Sequence, residues 1–261
     1  MFGWKKDIED TSDKIFTSAI KKFAAVGITE QTEEYYLPEY TPISNQLDTS
    51  TCVANASADA LEIIKGIKDH KNSPQLSRLF LYWNARVMDN STDKDEGTYI
   101  RNAFSSLSSL GVCLEDTWKF EKRNLFKQPP IKAYKEASDN TIVTFYRIKS
   151  NGQNRVDEII SAIKSNHPVV FGTLVNRSFC ESANVQTFDI PSGATVGGHA
   201  MVCTGFKSEG GEVKFLIRNS WGTGWGNANG MPGHCWMSEK YMTWQYTEDL
   251  WVPTDMPELL V

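Results

Sequence analysis

Five cysteines and four histidines are the groups in this 261-residue chain that could pair a nucleophile with a proton carrier. Cys113, Cys180, Cys203 and Cys235 lie in or beside strand-like and loop segments, where a free cysteine is a small buried hydrophobe. Cys52 stands where the turn-like Leu47–Thr51 meets a helix start. Unpaired backbone N–H groups and the positive end of the helix dipole favour the thiolate there, which is the nucleophilic form. Among the histidines, His70 follows a charge-rich helix, and His167 precedes Pro168 at a helix end. His234 sits beside Cys235 in a glycine-rich stretch, a pair short of the ligands a metal site needs. His199 opens a strand directly after Gly197 and Gly198, which leave room for another chain beside its backbone.

The strand-like runs His199–Phe206 and Glu212–Asn219 flank Lys-Ser-Glu-Gly-Gly and read as a β-hairpin. A hairpin symmetric about Glu209 sets His199 directly opposite Asn219, with Cβ atoms about 4.5–5.5 Å apart. The amide then either orients the imidazole for proton transfer to and from Cys52, or forms an ordinary cross-strand pair.

The octet Asn219-Ser-Trp-Gly-Thr-Gly-Trp-Gly226 resembles the asparagine block of papain-like cysteine peptidases. Gly198-His199-Ala200 with the strand after it resembles their histidine block, and Asn45-Gln46 followed by Cys52 resembles their glutamine–cysteine block. The resemblance runs from about Leu37 to the Trp-Val-Pro near residue 253, in the family's order and with suitable Cys-to-His and His-to-Asn separations. It implies that Cys52 attacks a peptide carbonyl, that His199 carries the proton, and that Asn219 orients the ring with Trp221 shielding that bond. It further implies that Gln46 and the backbone N–H of Cys52 form the oxyanion hole; a surface loop amide is the plain alternative for Gln46. Gly97 and Thr98 would pair with the substrate backbone, unless Gly97 is only a turn residue ahead of a helix. Gly198, also expected at the substrate, stands where several relatives carry a polar side chain.

Departures are visible as well. Leu-Asp-Thr-Ser-Thr-Cys-Val replaces the Gly-Ser-Cys-Gly-Ser-Cys-Trp commonly found in secreted members, so Thr49 stands where a disulfide cysteine is expected and Val53 where a bulky aromatic is. The segments around Cys52, Ser77–Arg86 and Met237–Trp251 are closer to bacterial and viral branches than to plant or lysosomal enzymes.

Several elements must position these residues. Apolar positions at helical spacing predict helices over about 52–69, 76–88 and from Ile100 toward Gly111, with a shorter one through Val156 and Ile163. Thr141–Ile148 and Pro168–Val175 have the β-branched and aromatic content of strands. A helical half followed by a strand-rich half predicts an α+β, papain-like two-lobed fold with a cleft between the lobes. The helical lobe is expected over about 45–140 and an antiparallel, barrel-like β lobe over about 141–261. Residues 1–36 read as a leader with an amphipathic helix through Ile15, Phe16, Ala19, Ile20 and Phe23, ending at Gly27. It packs on its own domain, covers the cleft, docks a partner or, as the least favoured reading, lies on a membrane surface.

A net charge of −5, with no basic stripe, gives no footprint for nucleic acid. No run reaches the roughly 20 apolar residues of a membrane helix. The opening residues lack the apolar core of a secretory signal, and an odd cysteine count without Cys-x-x-Cys points to a reduced compartment. The expected location is therefore the cytoplasm or a larger particle such as a virion. The implied partner is a polypeptide substrate; neither a cofactor nor a metal is called for. The competing reading is a non-catalytic papain-like structural component.

Overall fold

Residue types explain the main elements before topology does. The computed structural model describes residues 2–16, 34–39, 41–70, 73–142, 144–182 and 187–254. Strands β1 (Trp4–Lys5) and β2 (Glu34–Tyr36) precede the helical lobe of α1 (Cys52–Asp69), α2 (Arg78–Met88), β3 (Thr98–Tyr99), α3 (Ile100–Ser109) and α4 (Ile131–Ala137). Every residue from Cys52 to Ile64 is buried, so α1 is a central helix covered on all sides rather than an amphipathic surface one. Its small residues Ala54, Ala56, Ser57, Ala58 and Ala60 make such close packing feasible. The start of α2 is capped by Ser77, whose side chain accepts a hydrogen bond from the Phe80 N–H.

The second lobe runs through β4 (Thr144–Ile148), α5 (Gly152–Lys164), β5 (Val169–Asn176), β6 (Thr187–Phe188), β7 (Thr195–Glu209), β8 (Glu212–Arg218), β9 (Asn227–Ala228), β10 (Met231–Pro232), β11 (His234–Ser238) and β12 (Thr247–Thr254). Its main sheet has the order β4-β12-β5-β7-β8-β11-β6, with β2 paired to β7. All these pairings are antiparallel except β6 on β11. The long β7 is the spine of the lobe. The predicted helices and strands thus stand close to their expected places, and the α+β two-lobed architecture is the observed one. β2 brings residues 34–36, counted with the leader in the sequence, into the sheet. Of the leader helix expected from Ile15 to Gly27, residues 17–27 lie outside the described residues, and Ile15 is in a β-bridge instead of a helix. Phe16 is fully buried, and Ile15 forms a β-bridge with Arg147. Among the described residues no helix is long and apolar enough to cross a membrane.

A buried charge ladder ties the lobes together. From α1, Asp59 and Glu62 receive Arg78, with Nη2 to Asp59 Oδ1 at 2.6 Å and Nη1 to Glu62 Oε1 at 2.6 Å. At the end of β8, Arg218 Nε reaches Asp59 Oδ2 at 3.3 Å, and its Nη1 pairs with Glu39. Glu39 also bonds His234 Nε2 at 2.8 Å. Burial alone would raise the Glu39 pKa, but His234 and Arg218 outweigh it and hold the carboxyl down to about 2. His234 is therefore committed to Glu39 and to the Pro232 carbonyl, not to a metal with Cys235.

Removing one member of such a network leaves the others charged and unpaired in a dry interior. Arg78→Ala is expected to destabilise the protein by about 3–5 kcal/mol, read as a lower urea midpoint, while Arg123→Ala on the surface leaves the midpoint nearly unchanged.

Candidate active site

Cys52 is the first residue of α1 and is fully buried. Its thiol lies against backbone groups of Ala200, Gly3 and Val53. Ala200 follows His199 in β7, so packing α1 on β7 brings the sulfur of one lobe to the backbone of the residue next to the imidazole of the other. His199 Nε2 is 2.8 Å from Asn219 Oδ1, which also accepts the Ser220 N–H at 2.8 Å. With an oxygen as the partner, Nε2 carries the proton and the neutral ring keeps its lone pair on Nδ1. That Nδ1 is buried with no hydrogen-bond partner. The ring stacks on Trp221, centroids 4.5 Å apart and planes at 26°.

The route to this pairing differs from the symmetric hairpin. The turn is only Gly210-Gly211, both with positive φ, and Glu209 pairs with Glu212. Two positive-φ residues are what a tight two-residue hairpin requires. A bulge between Cys203 and Gly205 then shifts the ladder, so that Val202 faces Arg218. Continuing that offset puts Trp221, not Asn219, opposite His199. The amide reaches the imidazole as a diagonal neighbour instead.

Gln46 is fully buried on the loop before α1. Its backbone N–H donates to Ser220 O at 2.8 Å, its Nε2 donates to Thr49 O at 2.8 Å, and its Oε1 accepts from Ser220 Oγ at 2.7 Å. Asn45 bridges Trp221, and Gly222 N–H donates to Ser44 O at 2.9 Å. The glutamine loop is thus stitched to the residues after Asn219, and Ser220 sets the amide's orientation. Sequence reasoning missed Ser220; its hydroxyl beside Asn219 was the available signal.

The described leader residues lie on this site. Gly3 O accepts from Thr98 N at 2.9 Å, and β1 pairs in parallel with β3, Trp4 against Thr98. Gly97 has φ +82, and a Cβ there would sit 2.0 Å from Gly3 O. A Cβ on Gly198 would sit 2.8 Å from Trp4 O. Gly97, Thr98 and Gly198, the expected substrate edge, are therefore all met by Gly3 and Trp4. Further along, Asp7 N–H donates to Asp249 Oδ2 at 2.7 Å, and Trp251 Nε1 donates to Asp7 Oδ2 at 2.7 Å. Asp13 pairs with Arg101 at 2.7 Å and Arg147 at 2.9 Å. Nothing in the sequence singled out Asp7 or Asp249, which lie far apart along the chain. Beside Trp221, a pocket of about 400 Å³ lined by Asn45, Cys180 and Trp225 stays open.

Under this cover Cys52 and His199 are both held neutral. Burial pushes the Cys52 thiol up to about 11, against the pull of the Ala200, Gly3 and Val53 backbone. Burial pushes His199 down to about 4, against the opposing effect of Asn219. Cys113 and Cys203 are pushed up to about 12 by burial, and Cys235 is also raised, so none of the three is a competing thiolate. No group of three or more metal-ligating side chains occurs among the described residues.

A thiol on a helical lobe set against an imidazole and an amide on a sheet lobe is the frame of a cysteine protease fold. The profile of papain family cysteine proteases matches residues 32–242, and the chain belongs to that family. It is 30% identical to a peptidase C1-like protein of Acanthamoeba polyphaga mimivirus, over 98% of this chain and 86% of that protein. Among solved structures it resembles xylellain, a cysteine protease from Xylella fastidiosa, at 28% identity and a TM-score of 0.79, covering 98% of this chain and 96% of that one. Bromelain from Ananas comosus shares the fold at 21% identity and a TM-score of 0.66, over 85% of this chain and 99% of that one.

Two buried groups give stability opposite pH dependences. Burial and the charge of Asp249 push Asp7 up to about 7, although Trp251, Arg101 and Arg147 pull it down; Lys6 and Glu248 pair with each other nearby, and Asp13 neutralises the same two arginines. A carboxyl with a raised folded-state pKa adds stability that is full below its unfolded value of about 3.9 and is lost as pH rises through 7. His199, lowered to about 4, adds stability that is full above about 6.5 and is lost as pH falls toward 4. Asp7→Asn removes only the first contribution. Its urea midpoint relative to wild type is expected to rise steadily from pH 4 to pH 7; a pH-independent difference would show Asp7 ionised in the folded chain throughout.

Proposed function

We propose that this chain is a cysteine endopeptidase whose described leader residues cover the site in the resting state. The observation that carries the reading is the His199–Asn219 hydrogen bond under Trp221, with the lone pair of Nδ1 left for a proton from Cys52. Moving the leader lets water reach both groups, which lowers the cost of the thiolate–imidazolium pair. The Cys52 sulfur then attacks a peptide carbonyl carbon, and the carbonyl oxygen takes up negative charge. The Cys52 N–H and the Gln46 side-chain amide stabilise that oxygen; loss of one such donor typically costs about 10²–10³ in turnover. Protonated His199 gives its proton to the leaving amine as the C–N bond breaks, forming a thioester. Water attacks the thioester with His199 as base, releasing the acid and restoring the thiol.

Asn219 holds the ring through this cycle because its oxygen can accept from Nε2 in both protonation states. Ser220 and Thr49 hold the Gln46 amide so that its orientation need not be found anew at each turnover. Gly97, Thr98 and Gly198 are assigned to the substrate backbone, since they are where another extended strand already lies.

A thiol-directed epoxide followed by peptide mapping tests both halves of this reading. Labelling of the full-length protein is expected to be slow and confined to Cys52, and Cys52→Ala abolishes labelling and peptide cleavage together. Trp4→Ala, which weakens the cover without touching the reactive groups, is expected to speed labelling at least tenfold. A Cys52 that stays inert in both proteins would favour the non-catalytic component instead.

A further inference from the structure

The three residues just before Cys52 are each tethered, and in different directions. Thr49 Oγ1 donates to Gln46 O at 2.6 Å, on the side of the glutamine loop. Thr51, next to the nucleophile, accepts from Asn55 Nδ2, one turn into α1, at its carbonyl and its hydroxyl, both at 3.0 Å. Ser50 turns its N–H the other way, to the carboxylate of Asp95, at 3.1 Å from Oδ1 and 3.2 Å from Oδ2. Asp95 lies 45 residues further along the chain, on the loop that leads into Gly97 and Thr98.

That loop is held from beneath by α2. Tyr82 is fully buried; its hydroxyl donates to Asp95 Oδ1 at 2.8 Å and accepts the Gly97 N–H at 3.1 Å. Burial and the Asp95 charge both raise the Tyr82 pKa, so the hydroxyl keeps its proton for this bond. Arg86, one turn on, lies over the Tyr82 ring at 3.9 Å and donates to Lys94 O at 2.6 Å. A continuous path thus runs from the Ser50 N–H through Asp95 and Tyr82 to the Gly97 N–H. It joins the segment before the nucleophile to the expected substrate edge. No covalent link does this work: all five cysteines are free, and Thr49 stands where a disulfide cysteine is expected.

The strand already in the cleft passes between the two ends of the path. A Cβ on Gly3 would lie 1.9 Å from Ser50 O, and one on Gly97 would lie 2.0 Å from Gly3 O. The separation of Ser50 from Gly97 therefore sets how a bound backbone lies beside Cys52. Hydrogen bonds to an ionised group are the stronger kind, and one carboxylate accepting from both sides fixes that separation.

We propose that Asp95 is a positioning residue for the peptidase reaction: it ties the segment that ends at Cys52 to the edge that carries the substrate, and so sets where the scissile carbonyl meets the sulfur. This rests on the peptidase reading above and deepens it. Asp95 acts through Ser50 on one side and through Tyr82 and Gly97 on the other.

The test takes the full-length Trp4→Ala protein as parent and adds Asp95→Ala, Asp95→Asn and Tyr82→Phe singly, then Asp95→Ala with Tyr82→Phe. Two rates are compared. Alkylation of Cys52 by iodoacetamide needs the sulfur alone, whereas turnover of a fluorogenic peptide that the parent cleaves needs sulfur and edge in register. Asp95→Ala is expected to lower kcat by about 10- to 100-fold, the upper figure being typical of a 1 Å misplacement, with KM within about threefold. Its alkylation rate is expected to stay within about twofold of the parent across the pH profile. Asp95→Asn, which keeps an oxygen for Ser50 and Tyr82, recovers most of the loss. Tyr82→Phe keeps the ring but cuts the path one link further on, so kcat falls again. The double variant is expected to be no slower than the worse single one, because both changes break one path. Equal losses in alkylation and turnover, or losses that multiply in the double variant, would mark separate structural effects and overturn the proposal. So would Asp95→Ala with kcat within twofold of the parent; if that variant does not fold, Tyr82→Phe at the parental kcat gives the same answer. A parent that is alkylated at Cys52 but cleaves no peptide sinks the peptidase reading, and this proposal with it.

Discussion

The packing of the α1 N-terminus against the middle of β7 is the contact on which the rest of the structure depends. It joins two lobes that are otherwise separate in chain order, and it seats the Cys52 thiol against the backbone of Ala200. The junction is not apolar throughout, because it ends at the Cys52 thiol, the His199 imidazole and the Asn219 amide. The chain supports it from below with charge: Asp59, two turns along the same helix, is held by Arg78 and by Arg218, the residue before Asn219. One end of the clamp is therefore one residue from the amide that holds the imidazole, and the other is on the helix that carries the thiol. Buried ion pairs of this kind add little net stability over apolar packing, but they punish misregister severely.

The leader uses the same cleft from the other side. Its hold is made of backbone pairing to Thr98, glycine-to-glycine contact at Gly97, an indole on the floor of Gly172 and Gly198, and the Asp7–Asp249 contact. Asp7 and Asp13 extend that hold to Trp251, Arg101 and Arg147, and Phe16 is buried with the core. While the leader stays, it excludes water from Cys52 and His199, and burial favours the neutral forms of both. Burial under the leader, partly offset at the sulfur by the Gly3 backbone, thus sets the protonation of both groups.

The His199–Asn219 pair shows how a sequence argument can reach a contact by a mistaken path. Symmetry about Glu209 is the simplest hairpin, but Gly210-Gly211 make a tighter turn and the bulge after Cys203 moves the ladder again. The imidazole is met by Asn219 diagonally and by Trp221 face to face. Turn type and bulges depend on backbone twist and on what packs across the sheet, neither of which is written in the alternation of residues.

Local pattern determined a good deal by itself. The helix beginning at Cys52, the helix over Arg78–Met88, the strands at Val169–Asn176 and Glu212–Arg218, and the family blocks around Gln46, Cys52, His199 and Asn219 all follow from spacing and residue type within short windows, where backbone propensity and side-chain periodicity act. Only the tertiary structure decided that Ser220 would orient Gln46, that Asp7 and Asp249 would meet although they lie at opposite ends of the chain, and that Trp4 would find a floor of glycines. Those contacts join residues whose separation along the chain carries no periodic signal. They exist because two lobes and a leader close on one point, and burial there selects partners by shape and charge rather than by sequence distance.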